Sequence, residues 1–121
     1  MNNTISGILI FLAILVNSRY QGICMLLGTA VSTLTGKLFS LSDGAYSNGI
    51  YGYNGALVGA GIAAFSFGGG EAWNEFKLQV VPIIIMSMTS TIFVAGIGSL
   101  FVTNFRISPF TIPFVLCVWI W

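Results

Sequence analysis

From Leu78 to Val102 the chain carries no charged side chain. A helix needs about 20 apolar residues to cross a bilayer, so this stretch has ample length for a membrane span. It leaves little room for a soluble fold around it. The remainder of the 121 residues agrees: 56% are hydrophobic and 6% charged, against about a quarter charged in an ordinary soluble domain. Mean hydropathy is +0.96. Four basic and three acidic residues do not solvate a surface of this size. Lipid is the expected solvent for most of the outside.

The few charges also exclude function classes. Arg19, Lys37, Lys77 and Arg106 lie far apart and form no basic stripe, so nucleic acid is not an expected partner. There is no histidine. Cys24 and Cys117 each sit in an apolar run, where a thiol packs as a small hydrophobe, and neither has a second cysteine nearby to suggest a metal or a disulfide. The three acids fall between the apolar segments, so no catalytic constellation can be assembled. The chain is read as a non-enzyme that needs no metal, nucleotide or other cofactor.

Punctuation residues divide the chain into five apolar segments. The first runs from about Thr4 to Val16. It lacks the basic flank and the cleavage site of a signal peptide, and is read as a resident helix. The second spans Gln21 to Leu41, the third Ile50 to Phe67, and the fourth Leu78 to Val102. The second, third and fourth have the expected spanning length; the first spans only if its ends join in. A fifth opens at Pro109, with Trp119 and Trp121 suited to an interfacial belt, and is expected to continue in a longer protein. The predicted fold is an all-α polytopic membrane protein of about five hydrophobic helices, one domain over 1–121. Its orientation is not readable, because the four basic residues divide two against two between the sides.

Small and polar residues interrupt these segments in patterns. In the second, Thr29, Ser32, Thr33 and Thr35, with Gly22, Gly28 and Gly36, favour one side of a helix. Close packing of membrane helices explains such residues better than a pore lining. The third segment opens with "NGIYGYNG", placing Gly49, Tyr51, Gly52, Tyr53, Asn54 and Gly55 at a helix mouth. Gly55 and Gly59 have the spacing of a close helix contact, with Gly61 beyond. Asn54 is different, because an amide in lipid must find partners, and irregular glycine-rich backbone at membrane depth survives only where protein or water shelters it. For this mouth a functional and a structural reading are equally supported. In the fourth segment Ser87, Thr89, Ser90 and Thr91 lie near Gly96 and Gly98. Their hydroxyls suit either backbone satisfaction or a lined path, and the sequence does not choose.

The last motif is "ISPFTIPF", Ile107 to Phe114. Pro109 and Pro113 remove two backbone donors and bar a regular helix between them. The freed carbonyls and the Thr111 hydroxyl offer acceptors, with Phe110 and Phe114 on either side. Aromatic faces and a few acceptors suit a small, flat, neutral solute rich in N–H donors. An interior without intramembrane acid or base is poorly equipped for ions.

Taken in order, "GTAVSTLTGKL", "GIYGYNGALVGAGIAAF", "IIIMSMTSTIF" and "ISPFTIPF" resemble one repeat of the urea transporters, and "NNTISGILI" resembles that family's Asn-Asn-x-x-Ser-Gly helix start. Against the family pattern Leu-Pro-x-x-Thr-x-Pro-Phe, Thr111, Pro113 and Phe114 match. Ile107 stands for leucine, and Ser108 takes the place of the first proline, with Pro109 one position later. The resemblance implies a channel-like facilitator of two inverted repeats, assembled as trimers with a pore through each protomer, in the plasma membrane. It places Thr111 at the narrow centre of the pore, with Phe110, Phe114 and Asn54 along the path. Gly49, Tyr51, Gly52, Tyr53, Gly55 and Pro113 then shape the backbone around it. The family's Arg-Gly-x-x-Gln-x-x-Phe-like stretch, which precedes Asn-Asn, and its second repeat lie outside these residues, so the chain is expected to be incomplete at both ends.

The expectation is therefore half of an inverted-repeat channel for urea, completed by a missing partner or by pairing of copies. Two alternatives stand beside it. One is a channel for another small neutral solute such as water or ammonia. The other is a non-conducting truncated product or accessory membrane subunit.

Overall fold

The computed structural model describes residues 4–41, 48–65, 76–106 and 111–120. All the regular structure among them is helical: α1 (Thr4–Asn17), α2 (Arg19–Leu38), α3 (Ile50–Phe65), α4 (Phe76–Phe105) and α5 (Ile112–Ile120). Five apolar segments have become five helices. The central trio is α2, α3 and α4, each packed on the other two; α1 leans on α2 alone, and α5 on α3 and α4.

One residue separates α1 from α2. Ser18 is extended (φ −152°, ψ 114°), and its hydroxyl accepts the Gln21 backbone N–H, supplying one of the partners that a helix start lacks. The reversal lays Leu15 on Gly22, where an added Cβ would stand 2.5 Å from Leu15 Cδ2. At its other end α2 closes with paired bonds, Leu41 N–H to the Gly36 carbonyl and Ser40 N–H to the Lys37 carbonyl, both 3.1 Å. Ser40 sits at φ 47°, the left-handed position where such a cap usually places glycine. Arg106 adopts the same conformation (φ 53°) just past α4.

Lengths depart from the sequence expectation in one respect. Of the described helices α4 alone, 30 residues long, is both long and apolar enough to cross a membrane by length and composition. It does so with Pro82 inside it, which removes one backbone donor and crowds the Leu78 carbonyl. Among the described residues the third segment contributes 16 helical residues. α3 is sheltered by protein, with Tyr51, Asn54, Gly55, Ala56, Val58, Gly59, Ile62 and Ala63 all buried.

Backbone contact replaces side-chain packing where α2 meets α3. A Cβ built on Gly28 would stand 2.2 Å from the Gly55 carbonyl oxygen, and one on Gly55 would stand 2.3 Å from that of Gly28. One on Gly59 would stand 2.1 Å from the Cys24 oxygen. No side chain fits there. This is the close approach that small residues permit between membrane helices. Around it Tyr20, Cys24, Val58, Ile62, Ala63, Ile83 and Cys117 form a buried apolar cluster drawn from α2, α3, α4 and α5.

The outward face has the opposite character. Ile5, Ile8, Leu9, Ile10, Leu12 and Val16 of α1 are exposed, as are Leu78, Val81, Ile85, Met88 and Ile92 of α4. Meanwhile Ser32, Thr35, Asn54, Gln79, Ser87, Ser90 and Thr91 are buried. Polar groups inside and apolar groups outside invert the soluble pattern and fit lipid surroundings.

Candidate functional site: the mouth of α3 and the start of α5

The mouth of α3 is built on Gly49, at φ 69°. Its carbonyl accepts the Tyr53 N–H at 3.0 Å, so Gly49 opens the helix in a conformation that costs a side-chain-bearing residue energy. Tyr51 then turns inward and is 1% exposed. It covers Gly36 of α2, where an added Cβ would stand 3.0 Å from Tyr51 Cδ2. Gly52 faces Thr33 and Thr29, while Tyr53 is exposed. Asn54 is fully buried and donates from Nδ2 to the Ile50 carbonyl at 3.2 Å, tying the first turn of the helix together.

Hydroxyls divide into two groups. Thr29, Thr33 and Thr35 donate to the carbonyls of Met25, Thr29 and Val31 at 2.8, 2.7 and 2.8 Å, and Thr89 to that of Ile85 at 2.8 Å. These side chains are satisfied by their own helices. Ser32 instead reaches across: its Oγ lies 2.7 Å from the Tyr51 carbonyl oxygen and 2.5 Å from Thr91 Oγ1. Three helices meet at that pair. Ser87 and Ser90 are also fully buried on α4. Neither Ser87 Oγ nor Ser90 Oγ has a hydrogen bond among the described residues.

A second polar joint lies toward the N-terminal ends of α2 and α4. Buried Tyr20 donates its hydroxyl to Gln79 Oε1 and meets the Phe76 ring edge-on, centroids 6.1 Å apart. Beside it Gln21 Nε2 donates to the Ala60 carbonyl of α3 at 3.3 Å. Sequence reasoning passed over Tyr20, Gln21 and Gln79. Their one signal was a pair of amides and a phenol inside otherwise apolar runs.

At the start of α5, Thr111 is half-buried in a turn, and its carbonyl accepts the Val115 N–H at 3.0 Å. Buried Pro113 falls in the first helical turn, where its missing donor has no intrahelical partner to lose. Phe114 lies over Gly61 of α3: an added Cβ there would stand 3.1 Å from the ring. Phe114 also lines an open apolar cleft of about 430 Å³ with Phe65, Val115, Val118 and Trp119. Gly61 is two helical turns beyond Asn54, roughly 10 Å along α3. Thus Asn54 belongs to the α2–α3–α4 junction, whereas Thr111, Pro113 and Phe114 belong to the α5 side. Phe110, expected beside Thr111, lies outside the described residues, as do Ile107, Ser108 and Pro109.

Buried hydroxyls, amides and glycine-mediated backbone contact beneath an apolar exterior define a tightly packed helical membrane protein with a polar, uncharged interior. The urea transporter family model matches residues 1–121; the chain belongs to the urea transporter family, and so to a class of integral membrane transporters. It is 40% identical to urea transporter 1 of Rattus norvegicus over 114 residues. The corresponding protein of Mus musculus is 38% identical, and that of Ovis aries 36%. Each match covers 94% of this chain and 28% of the relative, so the chain spans little more than a quarter of those proteins' length.

Proposed function

We propose that the chain acts in passive, channel-like conduction of urea across a membrane, as one half of an inverted-repeat pore. The observation that carries this reading is the urea transporter match along its entire length. The interior chemistry supports it: among the described residues every buried polar side chain is neutral. A neutral solute crosses such an interior without the desolvation that an ion would suffer. In this reading urea lies flat against aromatic and aliphatic walls, with Phe114 and Phe110 among them. Its amide N–H groups donate to acceptors that include Thr111. Asn54 borders the path from the opposite helix. Gly49, Tyr51, Gly52, Tyr53 and Gly55 set the backbone of one mouth, and Pro113 that of the other. The pore is completed by a second repeat, three protomers associate, and the plasma membrane is the site of action. Residues 1–121 form a single membrane domain.

Urea-driven volume recovery of proteoliposomes, followed by light scattering, tests the reading. Recovery faster than in empty vesicles, reduced severalfold by Thr111→Val, is the expected result. Recovery equal to that of empty vesicles with inserted, folded protein would exclude conduction by this chain alone. Flux unchanged by Thr111→Val would remove Thr111 from the path.

A further inference from the structure

We propose that Ser32 and Thr91 are positioning residues: their hydroxyl pair sets the mouth of α3 against α4 and thereby the rate and selectivity of solute passage. The inference rests on the conduction reading above and names what holds that mouth in place.

Each hydroxyl has one hydrogen to give. Ser32 Oγ is 2.7 Å from the Tyr51 carbonyl oxygen, an acceptor with no hydrogen of its own, so the Ser32 proton goes there. Thr91 Oγ1, 2.5 Å from Ser32 Oγ, then donates to it. The chain of donors runs from α4 through α2 to the first turn of α3. All three residues are buried, so water does not compete for these bonds. The Tyr51 carbonyl keeps its helical partner and accepts Ser32 on its second lone pair.

The contact is a clamp as well as a bond. An added Cβ on Gly55 would stand 2.3 Å from Ser32 Cβ, so Ser32 lies flat on the backbone one turn along α3 from the carbonyl it holds. The turn it grips is already closed on itself, through Asn54 to the Ile50 carbonyl and Tyr53 N–H to that of Gly49. A rigid turn held from outside at one carbonyl moves as a unit, so shifting that hold re-aims Tyr51, Gly52, Tyr53 and Asn54 together.

Alternative partners make the pair separable from mere stability. Thr91 Oγ1 lies 2.9 Å from the Ser87 carbonyl oxygen. If Ser32 loses its hydroxyl, Thr91 turns its proton to its own helix. If Thr91 loses its hydroxyl, Ser32 keeps the Tyr51 carbonyl. Neither loss leaves a buried donor stranded. The penalty therefore appears in placement more than in folding.

The test compares the wild-type chain, Thr91→Val and Thr91→Ser in proteoliposomes, reading urea permeability, the permeability ratio of urea to methylurea, and thermal unfolding. Valine keeps the volume and loses the hydroxyl; serine keeps the hydroxyl and loses a methyl. The expected result is a fall of about fivefold in urea permeability for Thr91→Val, the factor that one net hydrogen bond represents. A changed solute ratio accompanies it, with both restored in Thr91→Ser although its core packing is poorer. Equal flux and ratio in all three, or a ranking that follows unfolding temperature, would overturn the proposal while leaving conduction intact. If the wild-type chain does not conduct, the conduction reading fails by itself, and a second readout decides this one. Spin labels at Tyr53→Cys and Met88→Cys report the spacing of α3 and α4. A broadened or shifted distance distribution in Thr91→Val that Thr91→Ser reverses sustains the clamp. An unchanged distribution refutes it.

Discussion

A methyl group at Gly28 would collide with the Gly55 carbonyl, and a methyl at Gly96 would meet nothing within 4 Å. Identical substitutions should therefore have opposite signs. Gly28→Ala forces α2 and α3 apart and should lower stability by about 1–3 kcal/mol, the usual range for overpacking. Gly96→Ala should be neutral or stabilising by up to about 1 kcal/mol, since alanine is the better helix former. Thermal unfolding in one detergent measures both. Tyr20→Phe belongs at the same scale. It strips Gln79 Oε1 of its phenolic donor in a buried place, and a buried acceptor losing its partner is expected to cost about 1–3 kcal/mol. A smaller effect than that of Gly96→Ala would mean the joint is wet.

Among the elements, α4 shows best what surrounds the molecule. Leu78, Val81, Ile85, Met88 and Ile92 are exposed at alternating steps of three and four, which lines them along one face of the helix. Gln79, Ile83, Ser87, Ser90, Thr91 and Val94 are buried toward the bundle. In water, Ile85→Arg would be an improvement. In lipid it places a cation near the helix centre, at about 2.5–3.5 kcal/mol on insertion scales. A glycosylation-mapping insertion assay should show markedly reduced insertion of α4 for Ile85→Arg. Undiminished insertion would show that this face meets water or another polar surface.

For the whole molecule, burial of the two cysteines is the simplest readout of a formed bundle. Cys24 and Cys117 are both fully buried, one on α2 and one on α5, so both thiols are shielded only when α2 and α5 pack onto the same core. A maleimide should label neither in the bilayer and both after denaturation in sodium dodecyl sulfate. Labelling of Cys117 alone in the native state would mean that α5 docks loosely on α3 and α4. That same docking forms the cleft in which Phe114 sits, so the measurement bears on the Thr111 side of the proposed path.

Some of this architecture was legible from residues alone, because lipid imposes local rules. An uncharged run such as Leu78–Val102 must be helical, since the bilayer core offers its backbone no partners, and glycine at Gly55 and Gly59 marks close approach whatever the neighbour. Helix type, helix number and the packing role of the small residues follow from such rules. Which partner each polar group meets does not. Ser32, Thr29 and Thr33 look alike in sequence, yet two threonines bond backward along α2 and Ser32 alone crosses to Tyr51 and Thr91. Hydrophobic pattern is a property of each segment against its solvent, and one sequence carries it. Hydrogen-bond partnership is a property of two segments at a set angle and depth, and only the tertiary structure brings Ser32 of α2 and Thr91 of α4 to the same carbonyl of α3.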